Sequence, residues 1–450
     1  MKVVSIRKML DILSFGALVL YVLDIILFGS GLVTMVYSPI SSRFLFFAVA
    51  IIAALPRLWE RKRELIKNKS IILFAIFLFY AAVMGVYGYL NGNRVDFIIA
   101  DLGGYINIAI LPVMMVMLET KEKINTFLKF VFCGALFIAL LSFLFSFMRF
   151  FPQGISSYLM NRLTIYEISQ LTYLSGNVTR VFFDTGTRYM FTAFVIGFYF
   201  IVSKNKPNKF VVSGCAVILA SLFISYAREL YLGIIVAVVF VFILIGIFAK
   251  DYLKNAIKSM AAIVVISVML IAGLSLLQKE NLFYVGLSES FTGLNVNAEG
   301  RVDSTDINKE DNLEFREMIK DNAIKAIKES PFIGNGLGLA VEENVDRVGY
   351  SYYDICAKMG IVGLILFVSP FLALLFELFK KRKRVSEHTL MFQSLMFVSS
   401  IFVFVISYFS PCINSAVGIS VFSLSAAVID PSNRWDIKPE TFGELSGGEH

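Results

Sequence analysis

Residues 331–338 read Pro331-Phe332-Ile333-Gly334-Asn335-Gly336-Leu337-Gly338, a proline followed by a glycine-rich turn. Upstream, Asn312 to Glu329 spaces Phe315, Ile319, Ala323 and Ala326 at helical intervals. Asp311 and Asn312 are its capping candidates, and Pro331 stops the helix. Downstream, a short acidic linker leads through Tyr350-Ser351-Tyr352-Tyr353 and Gly360-Ile361-Val362-Gly363 into an apolar run. The polar stretch from Gln278 to Tyr350 therefore divides one apolar segment, ending near Leu277, from another, starting near Ser351. A large ordered loop between two such segments is where chemistry concentrates.

Working outward, the composition fixes the class. Hydrophobic residues make up 57% of the chain and charged residues 17%, and the mean hydropathy is +0.75. A water-soluble domain carries less of the first and more of the second. About twelve apolar runs approach the roughly 20 residues that cross a bilayer. They are 11–29, 43–58, 70–90, 97–118, 124–150, 186–203, 209–226, 230–249, 258–277, 351–379, 389–409 and 412–429. No small-residue cleavage site follows the first, so no cleavable signal peptide is expected. The expected fold is an all-α polytopic integral membrane protein. Residues 1–430 form one membrane domain, with external segments at 151–185 and 278–350, and residues 431–450 form a cytoplasmic tail.

Basic loops mark the cytoplasmic side. Lys2, Arg7 and Lys8, then the cluster from Arg57 to Lys69, then Lys204, Lys206 and Lys209, then Lys250, Lys254 and Lys258, and last Lys380 to Arg384 alternate correctly with twelve spans. Both termini are then cytoplasmic and the large loop, in which acidic residues outnumber basic ones, lies outside. The net charge of +7 is a topology signal and not a nucleic-acid footprint. Cys133, Cys215, Cys356 and Cys412 lie in or at the ends of spans, which suggests no disulfide framework. Two histidines, His388 and His450, make a histidine-based metal site an unfavourable reading. No phosphate-binding glycine loop followed by Lys-Ser/Thr is present.

Ionisable residues inside spans are costly and tend to be functional. Here they are Asp24, Asp101, Asp184, Arg188, Arg228, Glu229, Asp354 and Lys358, all in the outer half of the bilayer by this topology. Their distribution predicts a polar cavity opening outward beneath the two external segments. Between the fifth and sixth spans, Ile155 to Leu174 reads as an amphipathic stretch, followed by Gly176 and Arg180. Arginine binds phosphate oxygens with a planar fork that never loses its charge. Arg180, Arg188, Arg228 and Arg316 all fall outside, which suits a lipid diphosphate whose tail stays in the bilayer. Arg43, near an outer span end, is expected only to snorkel.

These residues resemble the bacterial family of O-antigen polymerase and O-antigen ligase-like membrane proteins. Arg180 with Gly186-Thr187-Arg188 is similar to the family's arginine before a central span. Ser225 to Gly233 is similar to its serine-arginine-glycine segment, with the arginine displaced to Arg228. Arg316 and the helix into Pro331–Gly338 resemble its arginine, amphipathic helix and proline-glycine turn. Tyr350 to Tyr353 with Gly360 and Gly363 resembles its re-entry into the membrane. The likeness covers roughly residues 180–370. The ligase branch carries a histidine about eleven residues before the position of Gly360; here that place holds Gly349. The departure favours the polymerase branch and leaves the general base among Glu229, Asp184 and Asp354.

The resemblance implies a GT-C-like membrane glycosyltransferase architecture in the bacterial inner membrane. The activity implied is O-antigen or capsular polymerisation, in which a growing glycan passes from undecaprenyl diphosphate to the non-reducing end of another lipid-linked repeat unit. Neither ATP nor a metal is needed. Arg228, Glu229 and Arg316 take catalytic roles. Arg180, Arg188, Arg228, Arg316, Tyr350 and Tyr352 hold the substrate. The implied partners are lipid-linked donor and acceptor, membrane lipids and a chain-length regulator protein. Two alternatives remain: a ligase, and a lipid-linked oligosaccharide flippase. The absence of an internal repeat and the off-centre large loop argue against a transporter built of two similar halves.

Overall fold

The computed structural model describes residues 2–29, 41–165, 169–173, 178–204, 207–285, 313–342, 345, 348–382 and 385–430. The apolar runs become helices α1 (Lys2–Leu27), α2 (Ser42–Glu60), α3 (Lys69–Leu90), α4 (Val95–Met117, irregular over 107–109) and α5 (Lys121–Ser146). A helix, α6 (Gln153–Ile165), and two strands, β1 (Gln170–Tyr173) and β2 (Thr179–Phe182), follow. Then come α7 (Asp184–Val202), α8 (Lys209–Ile224), α9 (Arg228–Phe248), α10 (Leu253–Gln278), α11 (Leu313–Glu329), α12 (Ser351–Lys381), α13 (Glu387–Ile406) and α14 (Ala416–Ile429). The chain is an all-α polytopic membrane protein. Ten of these helices are long and apolar enough to cross a membrane; α8 and α14, with 16 and 14 residues, are shorter. Every residue of α14 is buried by its neighbours, so packing within the protein sets its length.

Hydrogen bonds and ion pairs sort the helix ends onto two faces. On one, Arg57 binds Asp11 at 2.8 Å and Glu119 at 2.8 Å, joining the start of α1 to the ends of α2 and α4. On the same face the Asn68 amide reaches Asp430 at 3.4 Å, and Lys381 donates to the carbonyls of Ile429 and Asp430, the latter at 3.0 Å. On the other face Gln278 donates to the Ser146 carbonyl at 3.0 Å, Arg180 to the Ser225 carbonyl at 3.1 Å, and Ser351 to the Ser410 carbonyl at 3.0 Å. The helices therefore alternate in direction as the basic loops require. All eight in-span ionisable residues sit at the second face.

The glycine-rich turn plugs into that face. Gly334, Gly336 and Gly338 have φ of +83°, +91° and +76°, a region that L side chains enter only at a cost. A Cβ on Gly336 would lie 2.3 Å from Gly88 Cα, and one on Gly334 would lie 2.5 Å from the Gly360 nitrogen. Helix α12 breaks at Gly360 (φ 65°, ψ −172°). The turn fills the break: Asn335 N–H donates to the Ala357 carbonyl at 3.0 Å, Gly336 N–H to Lys358 at 2.9 Å, and Ile361 N–H to the Pro331 carbonyl at 2.9 Å. Irregular backbone at membrane depth is tolerated where protein satisfies it in this way.

Two expectations change. The amphipathic stretch Ile155–Leu174 is not one element: the helix ends at Ile165, and Gln170–Tyr173 pairs antiparallel with Thr179–Phe182. Leu171 and Val181 face each other in that register and are buried, a period-2 pattern too short to stand out beside a helix. Arg43 does not snorkel. Its side chain is 14% exposed and lies 3.5 Å from the buried Asp24 carboxylate. It donates to the carbonyls of Phe28, at 3.3 Å, and Gly29, which α1 leaves unsatisfied at its end. The capping candidates Asp311 and Asn312, the side chain of Phe315 and the tail 431–450 lie outside the described residues.

Candidate functional site

The outward ionisable residues divide into two groups. The first is closed. Lys358 lies 2.7 Å from Asp101 and 2.9 Å from Asp354, and all three side chains are nearly inaccessible. Asp101 also accepts the Gly338 N–H at 2.8 Å. Asp354 accepts the Val348 N–H at 3.2 Å and the Asn414 amide at 3.4 Å. Both oxygens of Asp354, one of the three general-base candidates, are thus engaged within the protein. The triad fixes the glycine-rich turn between α4 and α12. Asp24, held by Arg43 and by Ser42 at 2.8 Å, is likewise structural.

The second group is open. It gathers where β2, the N-termini of α7 and α9, and segment 407–415 meet. Close packing positions α7: a Cβ on Gly186 would lie 2.3 Å from the Ile26 carbonyl oxygen, and Thr185 donates its hydroxyl to Ile25. Arg188, one turn into α7, pairs with Asp184 at 2.6 Å. The guanidinium carbon of Arg188 stands 5.6 Å from the Phe182 ring centroid, and that of Arg180 stands at the same distance. Both cations thus share the neighbourhood of one aromatic ring.

Arg180 also joins this group to the next element, through the Ser225 carbonyl. The turn from α8 to α9 is made in three residues, Ser225 to Ala227. Tyr226 takes φ +51° there, a left-handed conformation that costs a non-glycine residue about 1–3 kcal/mol and clusters at functional sites. That turn puts exposed Arg228 and half-buried Glu229 at the start of α9. Glu229 and buried Cys412 both lie within the electrostatic field of Arg188. Helix N-termini carry partial positive charge, so α7 and α9 add to the arginines.

The Nε–H of Arg188 is buried and has no hydrogen-bond acceptor among the described residues. A charged donor in that state seeks an anionic oxygen. Among the predicted substrate residues, the structure brings Arg180, Arg188 and the Arg228–Glu229 start of α9 together. Arg316 lies on α11, and its side chain is outside the described residues. The Tyr352 hydroxyl donates to the Phe404 carbonyl at 2.6 Å. Tyr350 packs its ring against Tyr353. Sequence reasoning missed Phe182, which carries no signal of its own. It also missed the Asp101–Lys358 pairing, although opposite charges at one depth of the membrane were visible.

Residues 213–368 match the family described as O-antigen ligase. The match covers roughly a third of the chain and holds α9, α10, α11, the glycine-rich turn and the first half of α12. Arg228, Glu229, Arg316 and the turn fall within the O-antigen ligase match; Arg180 and Arg188 lie before it. The match is to the O-antigen ligase family as a whole and does not select the polymerase branch expected from Gly349. No curated protein matches the chain.

Proposed function

We propose that this protein is an O-antigen ligase-type membrane glycan transferase, moving a glycan from a lipid diphosphate carrier, undecaprenyl diphosphate, to an acceptor hydroxyl. The buried, acceptor-free Nε–H of Arg188 beside Arg180 carries the reading. Two guanidiniums and two helix N-termini suit a diphosphate better than any neutral ligand. In the reaction, an acceptor oxygen attacks the donor's anomeric carbon. The bond from that carbon to the diphosphate oxygen breaks, and the diphosphate leaves with the bonding pair. Glu229 takes the hydroxyl proton. Arg180, Arg188, Arg228 and Arg316 stabilise charge developing on the leaving group, which is usually a large catalytic contribution. The site faces the outside of the bacterial inner membrane.

A second reading is favoured by one observation. Gly349 stands where the resembling ligases have a histidine, and a polymerase, adding the glycan to another lipid-linked repeat unit, would not require it. One experiment tests both. Purified protein is given lipid-linked repeat units, with and without a separate acceptor lipid. A ladder from repeat units alone marks a polymerase, and a single transfer that needs the acceptor marks a ligase. No glycan transfer in either case overturns the proposal.

A further inference from the structure

Beside the arginine site lies a patch of aromatic rings that the diphosphate does not use. Tyr350 and Tyr353 pack edge to face with centroids 5.9 Å apart, and Tyr353 and Tyr408 are 6.3 Å apart. Tyr408 and Phe409 are 4.9 Å apart, again edge to face. The rings are fixed from behind. Tyr350 and Tyr353 rest on Ile319, Ala323, Val348 and Ala357, the small core joining α11 to α12. The Lys320 ammonium of α11 stands 5.8 Å from the Tyr350 ring and 5.7 Å from the Tyr353 ring, a cation–π contact that orients both. Their other side is open: Tyr408 is 44% and Phe409 37% exposed.

Tyrosines on a membrane protein commonly anchor it at the lipid headgroups. These differ in place, since Lys320 reaches them from α11, a polar helix outside the membrane spans. The rings therefore lie between α11 and the bundle. They are also continuous with the site. Phe191, one turn beyond Arg188 on α7, stacks on Phe402 of α13 with centroids 4.3 Å apart, and the chain after α13 runs directly into Tyr408 and Phe409. Ser351 holds the same segment by donating its N–H to the Ser407 carbonyl at 3.2 Å.

We propose that Tyr350, Tyr353, Tyr408 and Phe409 form a stacking platform for consecutive pyranose residues of the transferred or accepting glycan. This rests on the transferase reading above. A pyranose ring shows an apolar C–H face, which stacks on the negative face of an aromatic ring, and a rim of hydroxyls, which a phenol can meet. A glycan whose diphosphate is held at Arg188 leads away from the bilayer past this patch. Tyr350 then belongs to the sugar and not to the diphosphate.

The test uses the full-length protein in detergent and, as probe, the lipid-free repeat-unit oligosaccharide of the host, with binding measured by calorimetry. Tyr353→Ala and Tyr408→Ala should each weaken binding about two- to tenfold, while Tyr353→Phe and Tyr408→Phe stay near the parent. Arg188→Lys should bind the oligosaccharide normally yet lose transfer from the lipid-linked donor. Alanine variants that keep parental affinity, or a parent that binds no oligosaccharide, overturn the platform. A parent that binds oligosaccharide but transfers none overturns the transferase reading and leaves the platform standing. Alanine variants that only melt earlier, with binding unchanged, assign the rings to lipid anchoring.

Discussion

Lys358 and Asp101, 257 positions apart in the chain, meet at 2.7 Å in a site that excludes water. The contact joins α12 to α4 and, through the Gly338 N–H on Asp101, holds the glycine-rich turn against both. Removing one partner leaves the other charge buried and unpaired, which costs about 3–5 kcal/mol. Lys358→Met should lower the unfolding temperature of the detergent-solubilised protein and reduce its yield. A variant that melts with the parent would show that the triad does not hold the turn.

Arginine geometry at the open group should matter more than its charge. Arg188→Lys, Arg228→Lys and Arg316→Lys keep the cation but lose the fork. Loss of one contact to the departing diphosphate costs roughly 2–4 kcal/mol of transition-state stabilisation, about thirty- to a thousandfold in rate. The variants should insert normally and accumulate untransferred lipid-linked units. Arg94→Lys is the matched control, because Arg94 forms an exposed pair with Asp96, with side chains 51% and 60% accessible. Parental rates in all three site variants would remove the diphosphate from this group.

Much of this was legible in the sequence. The all-helical membrane class, the order of the apolar helices and the gathering of in-span charges at one face follow from length, hydropathy and basic loops, which act locally and are strong in lipid; the number of spans does not, since two of the twelve predicted runs form helices of only 16 and 14 residues. Pairing was not legible. Asp354 and Asp184 look alike in sequence, yet one is enclosed by Lys358, the Val348 N–H and the Asn414 amide while the other is 41% exposed beside Arg188. The outcome depends on contacts between segments far apart in the chain. Arg43 misled for the same reason, since its partners are carbonyls at the end of α1. The short β-hairpin was hidden because four-residue strands leave too few periods to distinguish from a helix.

Orientation is open to direct measurement. In a cysteine-free background, Glu317→Cys on α11 should react with a membrane-impermeant maleimide in intact cells. Lys254→Cys, on the face that bears the basic loops, should react only after lysis. Labelling of Lys254→Cys in intact cells would invert the protein in the membrane and move the site to the cytoplasm.

Glycosyl transfer driven by the donor's own diphosphate bond should be indifferent to chelation. Activity in EDTA should equal that in its absence, at matched ionic strength. Loss of activity restored by one divalent ion would place a metal in the diphosphate site and reassign part of the arginines' role.

The break at Gly360 has a consequence for how the chain is made. In lipid, the carbonyls of Ala357 and Lys358 would each be left without a donor, at a cost of several kcal/mol per group; their donors come from Asn335 and Gly336. Residues 331–338 leave the ribosome before α12 does, so the partner already exists when the broken helix is inserted. Docking of the extramembrane segment and completion of the bundle are then a single event. A chain synthesised without that segment would present the quality-control machinery with a half-finished helix, not with a stable membrane core lacking a cap.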